Sequence, residues 1–277
     1  MKPQFFGQSD QTLFGVYHRA LGADVAPAKA VVICPPIGQE YVRTHWCLRS
    51  LAGQLARRGI HVLRFDYFGI GDSSGSVESV MSLDQWQRDT EESIRRLIDE
   101  SGARSVMLFG LRSGATIAST LSGIGSVNSL MYWEPVWSGQ DLLNCWGNLH
   151  LEMLDMRKTK METENSIVGE EILGSLYSHQ LLKQMQSWSI DWESVASPQF
   201  VFDLKKYRTR YEKIHHPLRK IELYDDEDSW SDLNQMETAW LRPKMTRKIV
   251  TQVADTFERL QKFGILDPQP SELQGVS

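Results

Sequence analysis

Surplus basic charge, cysteine and long apolar runs are all missing from this sequence, and each absence excludes something. Thirty Lys and Arg stand against 35 Asp and Glu, a net charge of −5, so nothing in the balance points to nucleic acid. The basic clusters Arg157–Lys158–Lys160 and Arg247–Lys248 are small and read as solvated helix faces. There are three cysteines, Cys34, Cys47 and Cys145. An odd number without metal-ligand spacing argues against a disulfide framework or a metal site, and for free thiols in a reducing cytosol. No stretch approaches the ~20 consecutive apolar residues of a membrane span. The N-terminal MKPQFFGQSDQ lacks the apolar core of a secretory signal. A cytoplasmic protein with no membrane span, no metal and no cofactor is expected. What the chain does have is size: 277 residues, 41% of them hydrophobic, enough for one α/β domain with a substantial core. Its nine tryptophans are concentrated late, with seven at or after Trp133.

The order of patterns is informative. A hairpin, Phe5–Gly7 and Leu13–His18, precedes AVVIC (Ala30–Cys34), a continuous apolar run of the kind buried on both sheet faces. Helical spacing follows over Thr44–Arg58, then a strand at His61–Asp66 and an amphipathic stretch capped by Ser82. Strands at Ser105–Gly110 and Ser129–Val136 flank a short helix, Ser113–Leu121. Such alternation predicts a parallel sheet wound by right-handed crossovers. Residues 139–195 break the rhythm, with two helical patterns (Leu142 to Met156 and Ile172 to Met185) and no strand. The polar stretch MRKTKMETENS between them reads as an exposed connection. Strands at Gln199–Leu204 and Lys220–Tyr224, a helix around Ile249–Leu260 and a frayed tail complete the chain. The predicted architecture is therefore a core of residues 1–138 and 196–277, with 139–195 inserted as a helical cap between the sixth and seventh main strands.

One segment carries chemistry. SVMLFGLRSGATIA has the layout of a nucleophile elbow, a strand turning sharply into a helix around one strained residue. The residues two before and two after the apex must be small. With Arg112 at the apex they are Gly110 and Gly114; with Ser113 there they would be Leu111 and Ala115, and Leu111 is too bulky. The steric rule thus selects Arg112, where a hydrolase carries Ser, Cys or Asp.

The stretches PPIGQEYVRTHW, LRFDYFGIGDSSG, LFGLRSGA, YWEPVWSG and ILGSLYSHQLL together resemble the α/β-hydrolase superfamily, in its serine aminopeptidase-like branch. Among these the chain is similar to the exosortase-system-associated hydrolases found near bacterial polysaccharide and natural-product genes. The resemblance implies an α/β-hydrolase fold with a sheet of about eight strands and a cap over the pocket. It also implies a triad in chain order nucleophile, acid, histidine. Here the acid region holds only Asp203, the histidine region reads DDEDSW with Ser229 near the expected place, and His215 and His216 precede the strand.

A guanidinium is neither base nor nucleophile in water, but at a helix N-terminus it can anchor an anion bidentately. The alternative is internal neutralisation of Arg112 by Glu40, Asp72 or Glu134. By resemblance, the oxyanion donors would be the amides of Ser113 and Ile37, with Gly38 beside them. The segment GQEYVRTH gathers Glu40, Arg43 and His45 in the loop beyond Pro35–Pro36, where Glu40 or His45 would supply a base or acid, unless they only hold the loop or face solvent. Asp72 reads as a structural turn. Glu134 and Trp133 are candidates for the pocket wall, as are the other cap tryptophans, against a purely packing role. Ser113 is the candidate nucleophile of a conventional esterase or thioesterase. The expectation is a non-canonical α/β-hydrolase-fold protein that binds or transforms an acyl- or carboxylate-bearing small molecule, free or carrier-bound, in a polysaccharide or natural-product pathway. The rivals are that serine hydrolase and a non-catalytic binding protein. A homodimer is compatible with the sequence.

Overall fold

The computed structural model describes residues 1–22, 27–156, 169–194, 196–227, 229–236, 238–264 and 266. The connection expected after Met156 and the tail beyond Leu266 lie outside these residues.

Two antiparallel strands, β1 (Lys2–Gln8) and β2 (Gln11–His18), lead into β3 (Lys29–Cys34), α1 (Gln39–Arg57) and β4 (Ile60–Phe65). Next come α2 (Leu83–Ser101), β5 (Val106–Leu111), α3 (Ser113–Ser119) and β6 (Val127–Trp133). Between β6 and the next main strand lie α4 (Gly139–Met156), the hairpin β7 (Gly169–Ile172) and β8 (Ser175–Ser178), and α5 (His179–Gln186). The chain finishes with β9 (Gln199–Leu204), α6 (Arg208–Tyr211), β10 (Arg219–Tyr224) and α7 (Pro243–Lys262). Eight strands form one sheet in the order β1-β2-β4-β3-β5-β6-β9-β10, parallel from β4 to β10. This is the α/β-hydrolase arrangement. The reversal of strand order around β3 and β5 opens a crevice at the carboxyl ends, where ligands bind in such sheets.

The local reasons are visible in the residues. AVVIC is fully buried because α1 and α7 cover one face of the sheet, through Leu51, Leu55, Ile249 and Phe257, while α2 and α3 cover the other, through Trp86, Leu97 and Ala118. Each fully buried large apolar side chain contributes about 1.5–3 kcal/mol. Ser82 caps α2 by accepting from the Asp84 amide, and Gly102 ends it with φ 69°. Pro243 stands in the first turn of α7, where its missing N–H costs nothing.

Two sequence expectations change. The segment GQEYVRTH is not a loop: Gly38, at φ 61°, turns the chain so that α1 begins at Gln39. A Cβ on Gly38 would sit 2.8 Å from the Trp146 ring, so only glycine fits there. The inserted segment, expected to be wholly helical, contains the hairpin β7–β8. Leu173 (φ 53°) and Gly174 (φ 80°) form its two-residue turn, the conformation favoured by hairpin twist. Ile172, Leu173 and Leu176 have helical spacing, but that turn places Ile172 and Leu176 on separate strands. Leu142, Trp146, Leu149 and Leu181 of this segment join the same apolar cluster as the α2–α3 face of the sheet.

Candidate functional site

Arg112 stands at the turn between β5 and α3 with φ 54° and ψ −124°, a conformation a side chain rarely adopts. The neighbouring glycines make this turn feasible. A Cβ on Gly110 would lie 2.3 Å from Ala115 Cα, and one on Gly114 would lie 2.2 Å from the Cys34 carbonyl oxygen. The turn is held by the Arg112 amide, which donates to Trp133 O at 3.0 Å, and by the Ala115 amide, which donates back to Arg112 O at 3.0 Å.

The guanidinium is clamped. Its Nε and Nη2 donate to Glu40 Oε2 (3.2 Å) and Oε1 (3.0 Å), and Nη1 reaches the Glu134 carbonyl oxygen at 3.4 Å. Both partners of the ion pair are largely withdrawn from solvent. The Trp230 ring lies 4.7 Å from the Arg112 guanidinium carbon and 5.1 Å from that of Arg43, both within cation–π range. Arg43 is also buried. It donates to Ser229 O at 2.9 Å and to Ser229 Oγ at 3.3 Å, and burial holds its pKa below the usual arginine value. Glu40 and Arg43 face inward because they are three residues apart on α1.

Glu134 is buried beneath this cluster, itself at positive φ (44°). Trp230 Nε1 donates to its Oε2 at 2.5 Å, and the Tyr224 hydroxyl donates to Oε1. The Tyr224 hydroxyl in turn accepts from Trp133 Nε1 at 2.8 Å. Burial pushes the Glu134 carboxyl up to about 7, against the opposing pull of its two hydrogen bonds and of Arg112. Asp203, at the end of β9, is also buried. It accepts from the Tyr211 hydroxyl at 2.5 Å and from the Leu204 amide at 2.8 Å, and burial raises its pKa.

A cleft of about 210 Å³ opens above Arg112. Val136, Trp137 and Trp230 line it, with Leu142 and Cys145 from α4. Tyr207 and Arg210 contribute from beyond β9, with the Arg210 guanidinium 4.3 Å from the Tyr207 ring and 5.8 Å from the Trp137 ring. Arg210 is exposed and forms no ion pair among the described residues.

Several sequence candidates lie elsewhere. His45 is on the exposed side of α1, beside Tyr41 and Trp46, because α1 starts early enough to give Glu40 and Arg43 the inward face. Trp133 is fully buried on the opposite sheet face against Trp240, so the indoles in the cleft wall are Trp137 and Trp230. Ser113 is fully buried, and its Oγ accepts from the Ile37 amide at 3.0 Å. That contact engages the Ile37 N–H, expected as an oxyanion donor, with a side chain of the protein itself. Gly38 packs under Trp146 and the Tyr177 hydroxyl. Asp72 is exposed, and its amide donates to Asp66 Oδ2 at 3.0 Å, a turn contact. None of the seven histidines lines the cleft. Trp230, Tyr207 and Arg210 were not singled out from sequence; the only trace of Trp230 was its place beside Ser229, where the resemblance implies a histidine.

Comparison with known proteins agrees with the fold. Est1E from Butyrivibrio proteoclasticus, in a structure with ferulic acid bound, superimposes with a TM-score of 0.63 at 11% identity, covering 92% of this chain and 98% of that one. An esterase of Pyrococcus furiosus gives 0.60 at 16% identity (93% and 90%), and mouse alpha/beta hydrolase domain-containing protein 10 gives 0.58 at 15% (94% and 100%). No curated protein matches the chain in sequence. No helix among the described residues is long and apolar enough to cross a membrane. The profile of the family described as serine aminopeptidase, S33, matches residues 26–171, just over half of the sequence, and the chain belongs to that family of α/β hydrolases.

Proposed function

We propose that this protein binds a small molecule with an acyl or carboxylate end in the cleft above Arg112, and does so without forming a serine acyl-enzyme. The observation that carries this reading is the clamped guanidinium at the apex of the β5–α3 turn, in a cleft that no histidine lines. A serine nucleophile needs a base within hydrogen-bond reach. Ser113 instead accepts from the Ile37 amide inside the core. The groups that do face the cleft suit recognition. Arg210 at the Tyr207–Trp137 wall offers positive charge above the neutral Arg112–Glu40 pair, with Asp141 at the edge of the cleft, and Trp137 and Trp230 offer flat apolar surface. Any turnover would come from electrostatic stabilisation of a developing charge rather than covalent catalysis. That the fold accommodates an aromatic carboxylate at all is illustrated by Est1E with ferulic acid. The wider setting, a polysaccharide or natural-product pathway and a carrier-bound ligand, rests on sequence resemblance alone.

The test is intact-mass analysis after exposure to a fluorophosphonate probe, together with thermal shift against simple aromatic and aliphatic carboxylates and acyl thioesters. The expected result is no adduct, with a carboxylate-dependent rise in melting temperature that Arg210→Ala diminishes. A stoichiometric adduct abolished by Ser113→Ala would make the protein an ordinary serine hydrolase. Absence of any ligand-induced shift would remove the binding reading as well.

A further inference from the structure

A second concave surface lies away from the cleft, along the exposed side of α1. On one side it is bounded by Trp46, Arg49 and Arg57 of α1, on the other by Arg19 and Leu21 after β2, with His18 also in its lining. The Leu21 amide donates to Ala56 O at 2.9 Å, which pins the two sides together. The groove has a volume of about 630 Å³. Three arginines line it and, among the described residues, no carboxylate does. Neither Arg49 nor Arg57 is ion-paired among the described residues, and the Arg49 guanidinium lies 5.1 Å from the Trp46 ring. The groove is also apolar where it is open: Trp46 is 57% and Leu21 64% exposed. Trp46 shares the apolar spacing of α1 but not its core, whereas Leu48, Leu51 and Leu55 are buried.

The concavity continues. A second depression of about 560 Å³ shares Met1 and Arg19 with the first and runs on past Lys2, Tyr17 and His61. Its one acidic side chain, Glu100, is already bridged by Lys2 at 2.7 Å and by Arg96.

We infer that this groove is a docking site for an acidic peptide segment of a partner protein, with apolar side chains seated against Trp46 and Leu21 and carboxylates paired with Arg49 and Arg57. Arg49 and Arg57, unbridged among the described residues, set the charge of the occupant, since no described carboxylate lines the first depression. Exposed tryptophan and arginine together are the residue types that dominate binding hot spots. Two linked depressions match an extended chain better than a compact anion. A flat bilayer would not fill a concave surface. Nucleic acid would call for successive stacking platforms, and the groove offers a single exposed indole in a protein of net charge −5.

Fluorescence anisotropy with a labelled peptide alternating Glu and Leu, against a Lys–Leu peptide, tests this on the full chain. The Glu–Leu peptide should bind, the Lys–Leu peptide should not, and added salt should weaken binding. Arg49→Glu/Arg57→Glu should weaken it by about tenfold or more, and Trp46→Ala should weaken it independently, with circular dichroism unchanged in all variants. No binding by the wild type, or binding indifferent to both variants, would overturn the proposal. So would displacement of the peptide by tripolyphosphate, or equal affinity for phosphatidylserine vesicles, which would assign the groove to a small anion or a lipid surface instead.

Discussion

The protein places arginine against tryptophan in two settings, and burial makes them different objects. In the cleft, Arg112 and Arg43 flank Trp230, and each guanidinium has an internal partner, Glu40 for one and Ser229 for the other. On α1, Arg49 lies over Trp46 in solvent with no ion-pair partner among the described residues. A buried charge must be compensated within the protein, because an uncompensated one is heavily penalised. An exposed charge carries no such demand and stays available. The first pairing is thus a clamp that shapes a binding site, and the second is an open surface. Breaking the clamp should show this with the largest effect. Glu40→Ala leaves Arg112 buried without its counter-ion, a change expected to cost roughly 3–5 kcal/mol, or a fall in Tm of about 10 °C for a chain of this size. Adding Arg112→Met should recover much of that loss, because the stranded charge disappears with its partner. Thermal melts of the single and double variants check it; additive losses would mean the pair is not coupled.

The clamp also rests on a buried titrating group. Glu134 accepts from Trp230 and Tyr224, and its pKa rises from 4.5 to about 7 on burial. Between those values the folded protein holds a proton that the unfolded chain has released. The stability this contributes is complete below about pH 4.5 and is lost as pH rises through about 7, a span of roughly 3 kcal/mol. Glu134→Gln keeps an acceptor for Tyr224 and cannot titrate. The difference in unfolding free energy between wild type and this variant should therefore slope with pH between 4.5 and 7 and be level outside it. A constant difference across that range would show that Glu134 keeps its ordinary pKa. A smaller effect belongs to Ser113. Its Oγ is the acceptor for the buried Ile37 amide, so Ser113→Ala should cost about 1–3 kcal/mol in chemical denaturation.

How much of this was legible in the sequence depends on how local the cause was. The apex position of Arg112 follows from Gly110 and Gly114, which stand within five residues of sequence, although the atom that demands Gly114 is the distant Cys34 carbonyl oxygen. Glu40 could be named among three candidate partners, but choosing it required the start of α1, and Gly38 sets that start through a contact with Trp146 over a hundred residues away. The same early start turns His45 outward. The β7–β8 hairpin was misread because Ile172, Leu173 and Leu176 satisfy helical spacing, while the decisive signal was Leu173–Gly174 at positive φ. Trp230 carries no local signal: it stands beside Ser229 in the polar segment after β10, and only the fold brings its indole against Arg112, Arg43 and Glu134. The fold class needed only the alternation of buried strands and helices, which is repeated along the whole chain.

The smallest predicted effect sharpens the contrast most. Trp46 is 57% exposed, and its ring lies against Arg49 and His45 on the same helix face. An exposed cation–π pair is worth about 0.5–1 kcal/mol, and part of that is offset by the conformational freedom regained when a large side chain is removed. Trp46→Ala should therefore change stability by no more than about 0.5 kcal/mol. Trp230→Ala, at a residue 5% exposed, should be destabilising by about 3–5 kcal/mol. Two substitutions of the same residue type, each lying against arginine, would then differ several-fold in one denaturation experiment. Equal losses would mean that Trp46 has a structural role on α1 that its exposure conceals, and would weaken the case for that face as a surface kept open for a partner.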